Sequence, residues 1–184
     1  PKSPDTYSNL GSLFIEQGRI KEAENYLLIA VEIDSNHSEA LSNLGIIYTD
    51  LRKFDLAEKY LIRSIKTNPY YVLAYHNLAS LFKINSRLKE AEIFIRKAIK
   101  LSPDFAEAHA NLGEILFFLE RSEEGEKSLE DAIKINPDLI NSYSTLLDIQ
   151  INNGNFNKAL FYSNKIYKVR PWSIINCYKL NHFI

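Results

Sequence analysis

The chain has 184 residues, 46% of them hydrophobic and 24% charged, enough apolar material for the core of one domain or a short repeat array. Twenty-two basic against twenty-three acidic residues leave a formal charge of -1, which argues against an extended nucleic-acid footprint, since that needs a clustered basic face. A lone cysteine, Cys177, excludes an internal disulfide framework. No run of eighteen apolar residues and no charged-then-apolar amino terminus is present, so neither a membrane span nor a signal peptide is expected, and the expected setting is cytoplasmic. Six glycines and six prolines are too few for an all-β chain of this size with its many turns. The missing methionine, and Pro1 on the beat of the repeat described next, suggest a piece of something longer.

Leu10-Gly11, Leu44-Gly45, Leu78-Ala79 and Leu112-Gly113 recur every 34 residues, and Leu146-Leu147 falls on the fifth beat. Ala23, Ala57, Ala91 and Ala159 share a second beat, with Gly125 in the remaining place. Pro69, Pro103, Pro137 and Pro171 close four successive units. The expected units are 4–37, 38–71, 72–105, 106–139 and 140–173, each a pair of short amphipathic helices around a polar turn. In the second unit Leu41, Leu44, Gly45 and Tyr48 share one helix face, and Ala57, Tyr60, Leu61, Ser64 and Ile65 share another. Asn68-Pro69 ends that second helix, because proline disfavours helical geometry in the residue before it. Gly45 is expected to let the paired backbones approach, with Tyr48 and Tyr60 filling the wider gaps. Residues 174–184 read as one more helix, either a cap or the start of a sixth unit. Helices of this length are marginal alone, so the units must stack.

These residues resemble the tetratricopeptide repeat pattern. That pattern places Leu-Gly between bulky residues in the first helix, alanines around a bulky residue in the second, and proline at the end. Tyr7, Leu10, Gly11, Phe14, Ala23, Leu27 and Ala30 carry it in unit one, and Tyr75, Leu78, Ala79, Phe82, Ala91, Ile95, Ala98 and Pro103 in unit three. Unit five departs at Leu147 and Gln150, as a terminal repeat with a differently packed outer face would. The resemblance implies an all-α, right-handed superhelix, an α-solenoid whose first helices line a concave groove. It implies a protein-protein interaction scaffold that binds an extended peptide or protein segment. A substrate-recruiting arm of a larger enzyme, such as a glycosyltransferase, and a self-association module working through the terminal helices are the alternatives.

Asn9, Asn43, Asn77 and Asn111 precede the repeated leucine in four units, with Thr145 in the fifth. An amide offers donors and an acceptor suited to a peptide bond. Packed helices about 8–10 Å apart would present one amide per three or so residues of an extended chain. The arrangement resembles the asparagine ladder of O-linked N-acetylglucosamine transferases, which implies a grip on peptide backbone. The other reading is one ancestral asparagine, copied by duplication, that bonds the neighbouring helix. Asp5, Glu16, Glu39, Asp50, Glu107, Glu114 and Asp148 would face or rim the groove against His76 and Lys83, giving it a preference for neutral or basic segments. Asp5, Glu39 and Glu107 also suit the positive end of a helix dipole. Phe117 and Phe118 are the anchor candidates, one of them expected to pack between units. The candidate peptide-binding set is therefore Asn9, Asn43, Asn77, Asn111, His76, Lys83, Glu114, Phe117 and Phe118.

The family's carboxylate clamp for chaperone tails needs basic side chains where this chain has Ser8, Ser12, Asn43, Leu73 and Asn77, so that role is not expected. His37, His76, His109 and His182 lack metal-ligand spacing. No phosphate loop or nucleophile elbow is present, and neither catalysis nor a cofactor is expected.

Overall fold

The computed structural model describes residues 3–169, and within them the chain forms ten α-helices and no strand. The expected helix at 174–184, with Cys177 and His182, lies outside the described residues. The first helices of the five repeats are α1 (Pro4–Glu16), α3 (Ser38–Asp50), α5 (Val72–Ile84), α7 (Ala106–Phe118) and α9 (Ile140–Asn152). The second helices are α2 (Ile20–Ile33), α4 (Phe54–Thr67), α6 (Leu88–Leu101), α8 (Ser122–Ile135) and α10 (Phe156–Val169). Every first helix has 13 residues and every second helix 14.

One device ends all five first helices. Gly18, Arg52, Ser86, Glu120 and Gly154 take positive φ, between 56° and 72°. The next amide then reaches back to a carbonyl five residues earlier: Arg19 to Phe14 and Lys53 to Tyr48, each at 2.8 Å. Arg87 reaches Phe82, Arg121 reaches Leu116 and Asn155 reaches Gln150 in the same way. This reversal satisfies carbonyls that the helix end would otherwise leave bare. The same residue pairs also meet through their side chains. Arg19 lies 4.3 Å from the Phe14 ring centre, Lys53 5.7 Å from that of Tyr48 and Arg87 4.1 Å from that of Phe82. In the fifth repeat the Asn155 amide donates to Gln150 Oε1 at 3.1 Å. Gln150 is wholly buried, so its departure from the pattern is half of a matched pair with Asn155.

Three of the second helices, α2, α4 and α8, end in side-chain turns. Asp34, Asn68 and Asn136 accept the amide two residues on, from Asn36, Tyr70 and Asp138. Four-residue connections then lead into the next repeat.

Inside each repeat the helices lock by size. A side chain built at Gly11 would place its Cβ 2.5 Å from Leu27 Cγ, and Gly45 and Gly113 face Leu61 and Leu129 in the same way. The expected close approach of backbones is thus, in these repeats, the entry of a leucine side chain. Backbone approach joins it only in the fourth repeat, where a Cβ on Gly125 would lie 2.9 Å from the Gly113 carbonyl oxygen. The third repeat tolerates Ala79 opposite Ile95, both wholly buried. The fifth inverts the sizes, with Leu147 in the glycine position and Ser163 in the leucine position, both at 0% exposure. Stacked or tilted ring pairs flank the lock: Phe14 with Tyr26 at 5.2 Å, Tyr48 with Tyr60 at 5.4 Å and Phe82 with Phe94 at 5.5 Å between centres.

The helices group into two compact units, Pro1–Leu101 with α1 to α6 and Ser102–Ile184 with α7 to α10. In the first unit the backbone of α1 comes close to that of α3 and that of α3 to α5, whereas the backbones of α2, α4 and α6 stay farther apart. Closer spacing of the first helices bends the layer towards them, so they form its inner side. The second unit repeats this backbone spacing, with α7 close to α9, while α8 and α10 stand farther apart and meet through long side chains such as Lys158 and Glu126.

A non-glycine residue in the left-handed region costs about 1–2 kcal/mol, partly offset by the greater unfolded-state entropy of glycine. Replacing Ser86 with glycine is therefore expected to raise stability by about 0.5–1 kcal/mol, and Gly154→Ala to lower it by a similar amount. Urea unfolding of the two variants measures both.

Candidate functional site

The inner face of the first helices is a stripe on each. Glu39, Asn43, Ile46 and Asp50 recur at i, i+4, i+7 and i+11 along α3. They stand opposite the buried Leu41 and Tyr48, which share the face of Gly45 that packs on α4. The same positions are Asp5, Asn9, Ser12 and Glu16 on α1, and Leu73, Asn77, Ser80 and Ile84 on α5. In the second unit they are Glu107, Asn111, Glu114 and Phe118 on α7, and Asn141, Thr145, Asp148 and Asn152 on α9.

The asparagines are used laterally. Asn43 Nδ2 donates to Ser12 Oγ at 2.8 Å, tying α3 to α1. Asn77 Nδ2 donates to Ser42 Oγ at 3.0 Å, tying α5 to α3, and its Oδ1 lies 3.4 Å from His76 Nδ1. Ser42 is wholly buried, so that hydroxyl depends on protein partners. Asn9 is exposed and Asn111 is half-buried on α7. Each bonded amide retains a second N–H.

Other ties between repeats escaped the sequence reading. Tyr48 Oη donates to Glu24 at 2.7 Å, joining α3 to α2, and burial together with that carboxylate pushes the phenol above its ordinary range. Arg87 bonds Glu58 at 2.5 Å and also pairs with Glu90, whose carboxyl it holds below the usual value. Lys158 reaches Glu126 at 2.9 Å. Glu24, Glu58 and Glu126 lie on one 34-residue beat, the signal that would have found them. His37, 9% exposed, caps α3 by accepting from the Ala40 amide at Nδ1, while its Nε2 lies 3.0 Å from Asp5. That contact ties Asp5 to the next repeat.

Positive charge is scarce on the first helices. Lys83 is the one lysine or arginine on the five first helices, which carry Asp5, Glu16, Glu39, Asp50, Glu107, Glu114 and Asp148. His76 and Lys83 are half-buried on α5, and Glu114 is half-buried on α7. Phe117 packs against the core cluster that contains Tyr143, Leu146 and Ile166, whereas Phe118 is 60% exposed, its ring 5.9 Å from that of Phe117. One phenylalanine is structural and the other faces solvent. Among the described residues no group of histidine, cysteine or carboxylate side chains can hold a metal ion, and no helix is long and apolar enough to cross a membrane.

Profiles of the tetratricopeptide repeat match residues 4–37, 72–105 and 106–139, and a second such profile matches residues 40–69. The chain belongs to the tetratricopeptide repeat family. Its fold is the all-α solenoid of that family, a scaffold for protein interaction. The pilF protein of Pseudomonas aeruginosa is similar in structure, with a TM-score of 0.87 at 17% identity over 94% of this chain and 79% of that one. A thermophilic tetratricopeptide protein of Thermus thermophilus matches with a TM-score of 0.81 at 19% identity over 98% of each chain. YrrB, a repeat protein with an unusual peptide-binding site, matches at 0.73 and 16% identity over 95% of this chain and 90% of that one. No curated protein matches the sequence.

The Asn77–Ser42 bond sets an expectation for stability. Asn77→Ala strands a buried hydroxyl and should cost about 1–2 kcal/mol. Adding Ser42→Ala to that variant should cost no more, because the stranded group is gone. Chemical unfolding of the two singles and the double tests this coupling.

Proposed function

We propose that this protein holds an extended segment of a partner protein against the inner faces of its first helices, and that the segment is neutral or basic. The observation that carries this reading is the charge division: seven carboxylates and one lysine on the first helices of a chain whose formal charge is -1. Among the described residues the other lysines and arginines lie on the second helices or in the turns that lead into them. The exposed Phe118 supplies an apolar anchor on α7. YrrB supports the class of ligand, since that similar fold carries a peptide-binding site. In this reading the asparagines act chiefly as ties between helices and present their remaining N–H groups to the ligand.

Selection from a library of random displayed peptides, followed by NMR mapping on the intact chain, tests the proposal. Selected peptides should shift signals of the first helices, and their affinity should fall as salt rises past about 0.1 M, where charges are screened beyond about 10 Å. Binding mapped to α2, α4, α6, α8 or α10, or indifferent to salt, would overturn it. Phe118→Ser should weaken peptides that reach α7 about tenfold and leave the melting temperature unchanged. Phe117→Ser should lower the melting temperature, because its ring is part of the core.

A further inference from the structure

Glu16 and Asp50 occupy the last turns of α1 and α3, where the helix dipole presents its negative end and neither helix has a basic residue. Both are exposed and neither has a partner among the described residues. The arginines nearest in sequence are turned elsewhere. Arg19 pairs with Glu22 and lies over Phe14, and Arg52 is directed to the Phe54 ring, 5.9 Å from its centre. Two carboxylates at the unfavourable end of their helices do nothing for the fold, in contrast to Asp5, which bonds His37. On α5 the same position is Ile84, 47% exposed. The three residues form a row across the inner side of the first unit: acid, acid, apolar.

Packed helices stand about 8–10 Å apart. A polyproline II chain has three residues per turn and rises about 3.1 Å per residue, so every third side chain lies on one side at about 9 Å intervals. A β-strand cannot do this, because residues three apart point to opposite faces. We infer that the row Glu16, Asp50 and Ile84 recognises a polyproline II segment bearing two cationic side chains three residues apart and an apolar side chain three residues beyond the second. This rests on the inner-face reading above and names the chemistry of its ligand in the first unit. The row sets the spacing, and either chain direction satisfies it.

Fluorescence polarisation with synthetic peptides and the intact chain tests the inference. The probes carry lysine, lysine and leucine at i, i+3 and i+6 in a serine-proline background, in both directions. A control of identical composition carries them at i, i+2 and i+4. One direction of the three-residue spacing should bind about tenfold more tightly than the control, and Glu16→Gln and Asp50→Asn should each weaken it about two- to fivefold. Both variants should melt no lower than the parent, since each removes an acid from a helix end that disfavours it. Equal affinity for the control spacing, or affinity unmoved by either substitution, would overturn the inference. The library selection separates this from failure of the broader reading. Inner-face binders without the spacing refute the row alone, whereas no inner-face binder refutes both.

Discussion

Each repeat is set by one size-matched pair, in the first four a large side chain on the second helix set against a small residue on the first, and in the fifth the reverse. Leu27, Leu61 and Leu129 enter above Gly11, Gly45 and Gly113, and each leucine is wholly buried. Because a core at crystal-like density tolerates neither a void nor an extra methylene, this pairing fixes the distance and rotation of the two helices. Rotation matters most for function. With Gly45 and Tyr48 turned to α4, Glu39, Asn43, Ile46 and Asp50 have one place to go, the side away from it. The acidic inner stripe follows from the glycine.

Much of this was legible in the sequence. The 34-residue beat gives the five helix pairs, and the repeated prolines mark where α4, α6 and α8 end, because proline acts through local backbone geometry that a sequence displays directly. What stayed hidden was partnership. Leu147 and Gln150 look like lapses in a terminal repeat until Ser163 and Asn155 are seen to compensate them. A periodic reading compares a residue with its copies, not with the residue it touches. The glycine showed the same limit, since a repeated beat reveals that a small residue is needed but not whether backbone or leucine fills the space. The asparagines at 43 and 77 were readable as a row, yet their use depended on Ser12 and Ser42, which occupy different places in their repeats.

The candidate site was legible in charge and not in geometry. Sequence placed the seven acids on the first helices, and nothing in the fold neutralises Glu16 or Asp50 with a neighbouring cation among the described residues. It could not divide Phe117 from Phe118, because adjacent residues on a helix differ by about 100° and only the packed structure shows which direction is core. Duplication explains the economy of the design. The copied positions build and tie the stack, so the positions where copies differ, such as Glu16, Asp50, Ile84 and Phe118, are where a ligand can be told apart.

The size lock is tested most directly by moving the fifth repeat's inverted pair into the second. Gly45→Leu and Leu61→Ser are each expected to destabilise the intact chain, the first by overpacking and the second by leaving a cavity. Combined, they recreate the Leu147 and Ser163 arrangement, and urea unfolding should show the double variant more stable than the sum of the singles by at least about 2 kcal/mol. Strict additivity of the two losses would contradict the account, because it would mean that the two positions do not share one space.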